Sequence, residues 1–253
     1  MIRKVLLIIA HIAAVVALIA AFGFIRSERS AMRCESFTIR VDHDGGAYFI
    51  DKQAVEAHLH RNGWGQLVGR PVDSVDLTRI ERLIEKIPFV AEAEAFADIY
   101  GNVRLDVEQR EPVLRIVNQN YQSFYIDQNG MRMPTTTNYA AQVPVASGFI
   151  AERLTKTDTI QTEVVRQLVA LNAYIQERDD LKNLFVQYYV NADHELELIP
   201  RVGEHSVLIG DLSDLDEKFE KLLVLYKQGF DEQAWREYRL VNLKFKDQVI
   251  CKK

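Results

Sequence analysis

The sequence predicts an α+β protein with a single N-terminal transmembrane helix, a small β-α-α-β-β domain, and a larger domain with a mainly antiparallel sheet and two helices. Three observations lead there. Residues Val5 to Ile25 read VLLIIAHIAAVVALIAAFGFI, an apolar run with no formal charge. At about 1.5 Å of rise per residue, about 21 residues reach across the roughly 30 Å hydrocarbon core of a bilayer. Beyond that run, apolar residues recur at helical spacing in four segments and alternate at strand spacing in most of the others.

The first segment reads as an anchor rather than a leader. A cleavable signal has an apolar centre of roughly 7 to 15 residues and a small-x-small cleavage site. Here Phe22, Gly23, Phe24 and Ile25 continue the run past Ala20 and Ala21, so Met1 is expected to be retained. A lipoprotein signal is disfavoured because Ala31, Met32 and Arg33 precede Cys34. Arg3 and Lys4 on one side face Arg26, Arg29 and Arg33 on the other, so positive charge does not fix the orientation. His11, inside the run, reads as a tolerated neutral imidazole.

Roughly 220 residues follow, enough for two domains with cores of their own. The boundaries expected are a tail at 1–4, the span at 5–25, a first domain at 36–111 and a second at 112–253. The net charge of -5 comes with interspersed signs and no basic tract, which argues against nucleic acid as a partner. Cys34 and Cys251 stand at opposite ends of the exported part and are expected to be unpaired.

In the first domain, Phe37, Ile39 and Val41 alternate with Thr38 and Arg40 ahead of a turn at Asp44, Gly45 and Gly46. Asp51 can cap a helix running to about His60, closed by Asn62 and Gly63. Leu77, Ile80, Leu83, Ile84 and Ile87 mark a second helix, stopped at Pro88, whose apolar face should cover the sheet. An extended run from Val90 to Phe96, a turn at Gly101 and Asn102, and a strand through Val103, Leu105 and Val107 complete it.

The second domain is read as strands at Val113–Val117, Ser123–Asp127 and Val143–Ala146, then a helix through Ile160, Val164, Leu168, Leu171 and Ile175. Phe185–Val190 and Glu195–Ile199 form a hairpin around Asn191 to Asp193. Leu215, Phe219, Leu222, Leu223 and Tyr226 mark the last helix, with Asp214 and Glu217 at capping-box spacing and Gly229 at its end. Val241, Leu243 and Phe245 then alternate with Asn242, Lys244 and Lys246 as a strand, and Gln248 to Cys251 closes the chain.

Local signatures of catalysis are missing. His58 and His60, two apart on a helix, point about 200° apart and cannot chelate one ion. His194, Glu195 and Glu197 lack the spacing of a zinc site, and Asp42, Asp44 and Gly45 are followed by Gln53 where a calcium loop needs its bidentate glutamate. No G-x-S-x-G, P-loop or G-x-G-x-x-G occurs. No cofactor or metal is expected; the missing motifs lower the expectation of catalysis but do not exclude it, since sites assembled from distant residues leave no local trace.

The ordered pieces resemble the FtsQ/DivIB family of bacterial cell-division proteins: a cytoplasmic tail, one transmembrane helix, a POTRA domain and a β domain. The stretch Ile87–Ala93, IPFVAEA, with Pro88, Phe89 and Val90, is similar to the family's proline-aromatic-valine segment. Asn102–Pro112, NVRLDVEQREP, follows with Asn102, Glu108, Arg110 and Pro112 at the family's positions. Tyr125, Asp127, Gly130 and Pro134, then Val143, Pro144 and Gly148, then Leu208, Ile209 and Gly210, resemble its later motifs. The arginine and tryptophan-proline usual between the two POTRA strands are absent; Phe96, Ala97, Asp98 and Ile99 stand there.

The resemblance implies a non-enzymatic scaffold of the divisome in the cell inner membrane at the division septum. Its amino terminus would be cytoplasmic and its bulk periplasmic. It would recruit the FtsL and FtsB/DivIC pair that regulates the septal peptidoglycan synthase. It also implies a partner site on the last strand, expected as an edge, with Val241, Leu243, Lys244, Phe245, Lys246 and Val249 as contacts. Phe245 would be the apolar anchor and Lys244 a charge for an acidic partner. The alternative for Phe245 is core packing beside Val241 and Leu243, on whose face it falls. Two other functions stay open: a POTRA-bearing protein of outer-membrane assembly or secretion, and a membrane-anchored cell-wall hydrolase or transferase.

Overall fold

The computed structural model describes residues 14–18, 32–43, 46, 48–154, 159–230 and 234–253. Among them no helix is long and apolar enough to cross a membrane; the expected span at 5–25 lies outside the described residues except for 14–18, which are helical. Of the expected turn after the first strand, Asp44 and Gly45 lie outside them too. The chain forms two compact units, Met1–Gln109 and Arg110–Lys253.

The first unit holds strand β1 (Ser36–Val41), helices α1 (Lys52–Arg61) and α2 (Leu77–Ile84), and the hairpin β2 (Val90–Ala97) and β3 (Asn102–Gln109). The sheet order is β1-β3-β2, with β1 parallel to β3 and β2 antiparallel to it. A parallel pair needs a crossover, and α1 and α2 supply it. Asp51 accepts a hydrogen bond from the Ala54 N–H at 2.7 Å and Asp76 one from Arg79 at 3.0 Å, so each helix starts at its capping carboxylate. Ile39, Val55, Leu59, Ile80, Ile84, Val103, Leu105 and Val107 form the core. α2 stops at Ile84, before Pro88, and a tight turn from Ile87 N–H to the Ile84 carbonyl keeps Ile87 buried. Leu83, expected to face the sheet fully, is only half-buried against this core.

The second unit is one nine-stranded sheet. Its strands are β4 (Pro112–Val117), β5 (Ser123–Asp127), β6 (Arg132–Pro134), β7 (Val145–Gly148), β8 (Phe185–Val190), β9 (Leu196–Pro200), β10 (Ser206–Gly210), β11 (Leu240–Asn242) and β12 (Ile250–Lys252). The order is β12-β11-β10-β9-β8-β7-β4-β5-β6. It is mixed rather than antiparallel throughout: β7 lies parallel between β4 and β8, and β11 lies parallel to β10. Helix α3 (Glu163–Gln176) connects the first of these crossovers, and α4 (Leu215–Val224) with the short α5 (Ala234–Glu237) the second. α3 and α4 share one face of the sheet, since the Tyr174 and Phe219 rings stack 5.6 Å apart.

Two local expectations fail. Asp214 adopts a left-handed backbone, φ 49°, and its side chain caps nothing, so no capping box forms. Lys218 in the first turn instead reaches back to Asp211, donating to its carboxylate at 2.9 Å and its carbonyl at 3.0 Å. The strand expected over Val241–Phe245 ends at Asn242, and Phe245 to Asp247 turn back toward β12.

Candidate partner-binding surface

The end of the nine-stranded sheet is built by the last helix and the last two strands. β11 is clamped between β10 and β12, so it is interior and not an edge. Val241 and Leu243 are fully buried in the core, and Val249 packs against it. Val241 and Leu243 therefore have no side-chain surface to offer a partner, contrary to the expectation of direct contacts there, whereas Val249 stays half-exposed. The reason is the parallel insertion of β11, which gives Val241 neighbours on both sides. The lateral edge falls to β12, which pairs only with β11 among the described residues.

Between the two strands the chain makes an exposed turn. Phe245 is 43% exposed and takes no part in the core, which removes the packing alternative for it. The Lys221 ammonium donates to the Phe245 and Lys246 carbonyl oxygens at 2.7 and 2.8 Å and to Glu217 at 3.2 Å, pinning the turn to α4. Lys246 is exposed. Lys244 is already committed: its ammonium pairs with Glu195, and its stem lies over Gly210, where an added Cβ would meet it at 2.9 Å. That hydrogen bond is the main reason the Glu195 carboxyl is held below the usual carboxylate range. The charge expected from Lys244 is thus spent within the molecule.

Beside the start of β10 sits an aromatic cluster that the sequence pattern gives no sign of. His205, Tyr226, Phe230 and Trp235 lie with ring centroids 4.7 to 5.6 Å apart, and His205 Nε2 and the Tyr226 hydroxyl are 2.7 Å apart. Burial pushes the His205 pKa down and the Cys251 thiol up. Cys34 and Cys251 are both free thiols.

The POTRA-motif positions do not form a cluster. Val90 is buried, and Phe89 stacks on Phe49 at 5.4 Å. Pro88 and Glu108 are exposed, and Asn102 binds the Asp98 carboxylate at 2.8 Å in the β2–β3 turn. In the second unit Arg110 lies 3.7 Å from the buried Asp127, whose carboxylate also accepts from the Asn129 and Met131 N–H groups. This ties arginine-x-proline to the aspartate-x-x-glycine hairpin through one carboxylate. Pro112 opens β4. Among the described residues no group of three His, Cys, Asp or Glu is placed to hold a metal ion.

The β-α-α-β-β unit and the mixed-sheet unit each match a known family in sequence. Residues 32–108 match the POTRA-like domain, and residues 111–252 match the family described as FtsQ/DivIB, C-terminal related. The chain belongs to the FtsQ/DivIB family. It is similar to the cell division protein FtsQ of Rhodothermus marinus, 23% identical over 188 residues that cover 73% of this chain and 68% of that one. FtsQ/DivIB membership makes this a protein of bacterial cell division.

The sequence pattern missed two parts of this surface, Lys221 and β12. Lys221 looks like an ordinary i, i+4 partner of Glu217. β12 is three residues long, too short to show alternation.

Proposed function

We propose that this protein is a bitopic scaffold of the division apparatus. Residues 5–25 hold it in the cytoplasmic membrane with the amino terminus in the cytoplasm. The two units lie outside, where they recruit and link an FtsL and FtsB/DivIC pair and so control septal peptidoglycan synthesis without catalysis of their own. The observation that carries this reading is β12 at the lateral edge of the sheet in a chain of this family. An edge strand presents backbone N–H and C=O groups to which a partner strand can add through main-chain hydrogen bonds. Phe245 in the neighbouring turn offers an apolar anchor, and Lys246, rather than Lys244, offers the charge.

The test is the affinity of the full-length protein for the FtsL and FtsB/DivIC pair. Phe245→Ala should weaken it by about 2 kcal/mol, roughly 30-fold, because a half-exposed anchor is desolvated only in the complex. Its melting temperature should stay within a degree or two. Unchanged affinity, or a large fall in melting temperature, would place the partner elsewhere.

A further inference from the structure

Residues 32–35, ahead of β1, run between two loops. Cys34 N–H donates to the Arg70 carbonyl at 2.8 Å, Gly69 N–H to the Cys34 carbonyl at 2.8 Å, and Val72 N–H to the Met32 carbonyl at 2.9 Å. The Arg33 guanidinium adds a bond to the Gly69 carbonyl at 2.8 Å. On the other side Glu35 N–H donates to the Gly101 carbonyl at 2.9 Å. Gly101, at φ 87°, lies so close that an added Cβ would sit 2.3 Å from the Arg33 carbonyl oxygen.

Both loops carry apolar side chains that the domain leaves in water. Val68 is 57% exposed, and Ile99 and Tyr100 are 71% exposed each. The β2–β3 tip that bears the latter two is held firmly. The Asp98 carboxylate accepts from the Tyr100 N–H at 2.8 Å, the Asn102 N–H at 2.9 Å and the Asn102 amide at 2.8 Å. The turn's polar groups are thus satisfied internally, while its two large apolar side chains point outward.

The apolar run of the sequence ends at Ile25, and Met32 already belongs to this end of the unit. Seven peptide steps span at most about 25 Å, so the entry end cannot move far from wherever Ile25 sits. We propose that Val68, Ile99 and Tyr100 insert into the headgroup–acyl boundary of the bilayer that holds residues 5–25, resting the first unit on the membrane surface. This rests on the anchor reading under the proposed function. A tyrosine beside aliphatic side chains at the rim of a membrane domain suits that boundary, with its ring in the apolar layer and its hydroxyl in water. Arg33 and Arg70 are offset by Glu35 and Asp98 in the same loops and segment, so the contact is apolar in origin and insensitive to salt.

The test uses the full-length chain carrying Tyr100→Trp, reconstituted into phosphatidylethanolamine and phosphatidylglycerol vesicles brominated at shallow or deep acyl positions. The unsubstituted chain gives the contribution of Trp64 and Trp235. Shallow bromines should quench the added tryptophan at least twofold, deep bromines less, equally at low and high salt. A chain that floats with the vesicles but whose added tryptophan is unquenched overturns the membrane contact alone. Quenching abolished by high salt overturns its apolar origin. A chain that does not float with the vesicles overturns the anchor reading and the contact with it.

Discussion

Removing the Glu152 carboxylate should unfold the second unit far more readily than any surface change. Arg132 on β6 and Glu152 are both sealed from solvent, with side chains 0% and 1% exposed, and pair at 2.7 Å. The same carboxylate accepts the Thr162 N–H and hydroxyl, both at 2.7 Å, and the Gln161 N–H at 3.1 Å. It is therefore the cap of α3, since Thr162 makes no side-chain cap of its own. Glu152→Ala would take from the buried Arg132 guanidinium the carboxylate it pairs with, and from the Thr162 N–H and hydroxyl the acceptor they share. Breaking a buried pair from one side costs about 3 to 5 kcal/mol, and each orphaned buried donor about 1 to 3 kcal/mol more, some of it recovered by water entering the gap. A net loss of about 4 kcal/mol in a unit of this size lowers its melting temperature by roughly 10 °C. Scanning calorimetry of the detergent-solubilised full-length chain reads this directly. Pairing Glu152→Leu with Arg132→Met should be less damaging than the two single changes added together, because no charge is then stranded. A fall of less than about 3 °C for Glu152→Ala would refute the reasoning, since the cost rests on the carboxylate being dry and fully used.

Other expectations can be checked on the same chain. Ile84→Ala, at a fully buried position under the first sheet, should cost about 2 to 5 kcal/mol, and Leu83→Ala, half-buried, about half as much; equal losses in denaturant titration would mean that α2 is rotated from the position described. The Asp211 carboxyl is held below the usual carboxylate range, first by the Ser213 hydroxyl and then by Lys218. A carboxyl whose pKa is lower folded than unfolded stabilises above its unfolded value, and that stabilisation is lost as pH falls through the folded one. The wild-type melting temperature should therefore fall more steeply between about pH 5 and pH 2 than that of Asp211→Asn, and parallel curves would show that the contact contributes nothing. The effect should be modest, because Asp211 is 73% exposed.

Most of the first unit was legible in the chain because its determinants are local. Asp51 and Asp76 stand where helices begin, and Val103, Leu105 and Val107 alternate in a strand buried on one face, so period and cap chemistry suffice. The β5 and β8–β9 segments were readable for the same reason. The family was legible too, because its motifs sit at turns and strand starts such as Asp127, Gly130 and Pro112, where backbone geometry restricts the residue type.

Which strand lies beside which was not legible, since alternation states which face is buried and nothing about the neighbours. Val241, Leu243 and Phe245 share one parity, yet two are core and one is solvent-facing, because the sheet contact of β11 ends at Asn242 and Lys221 draws the following carbonyls toward α4. The placement of β7 between β4 and β8, and of β12 outside β11, depends on crossovers through α3 and α4 whose packing is non-local. The chain by itself determined the longer elements, the buried faces of those whose pairing runs their full length, and the family. Only the tertiary structure decided that the terminal edge belongs to Ile250–Lys252 and that Lys244 is spent on Glu195, because an edge and a spare charge exist only relative to residues far away in sequence.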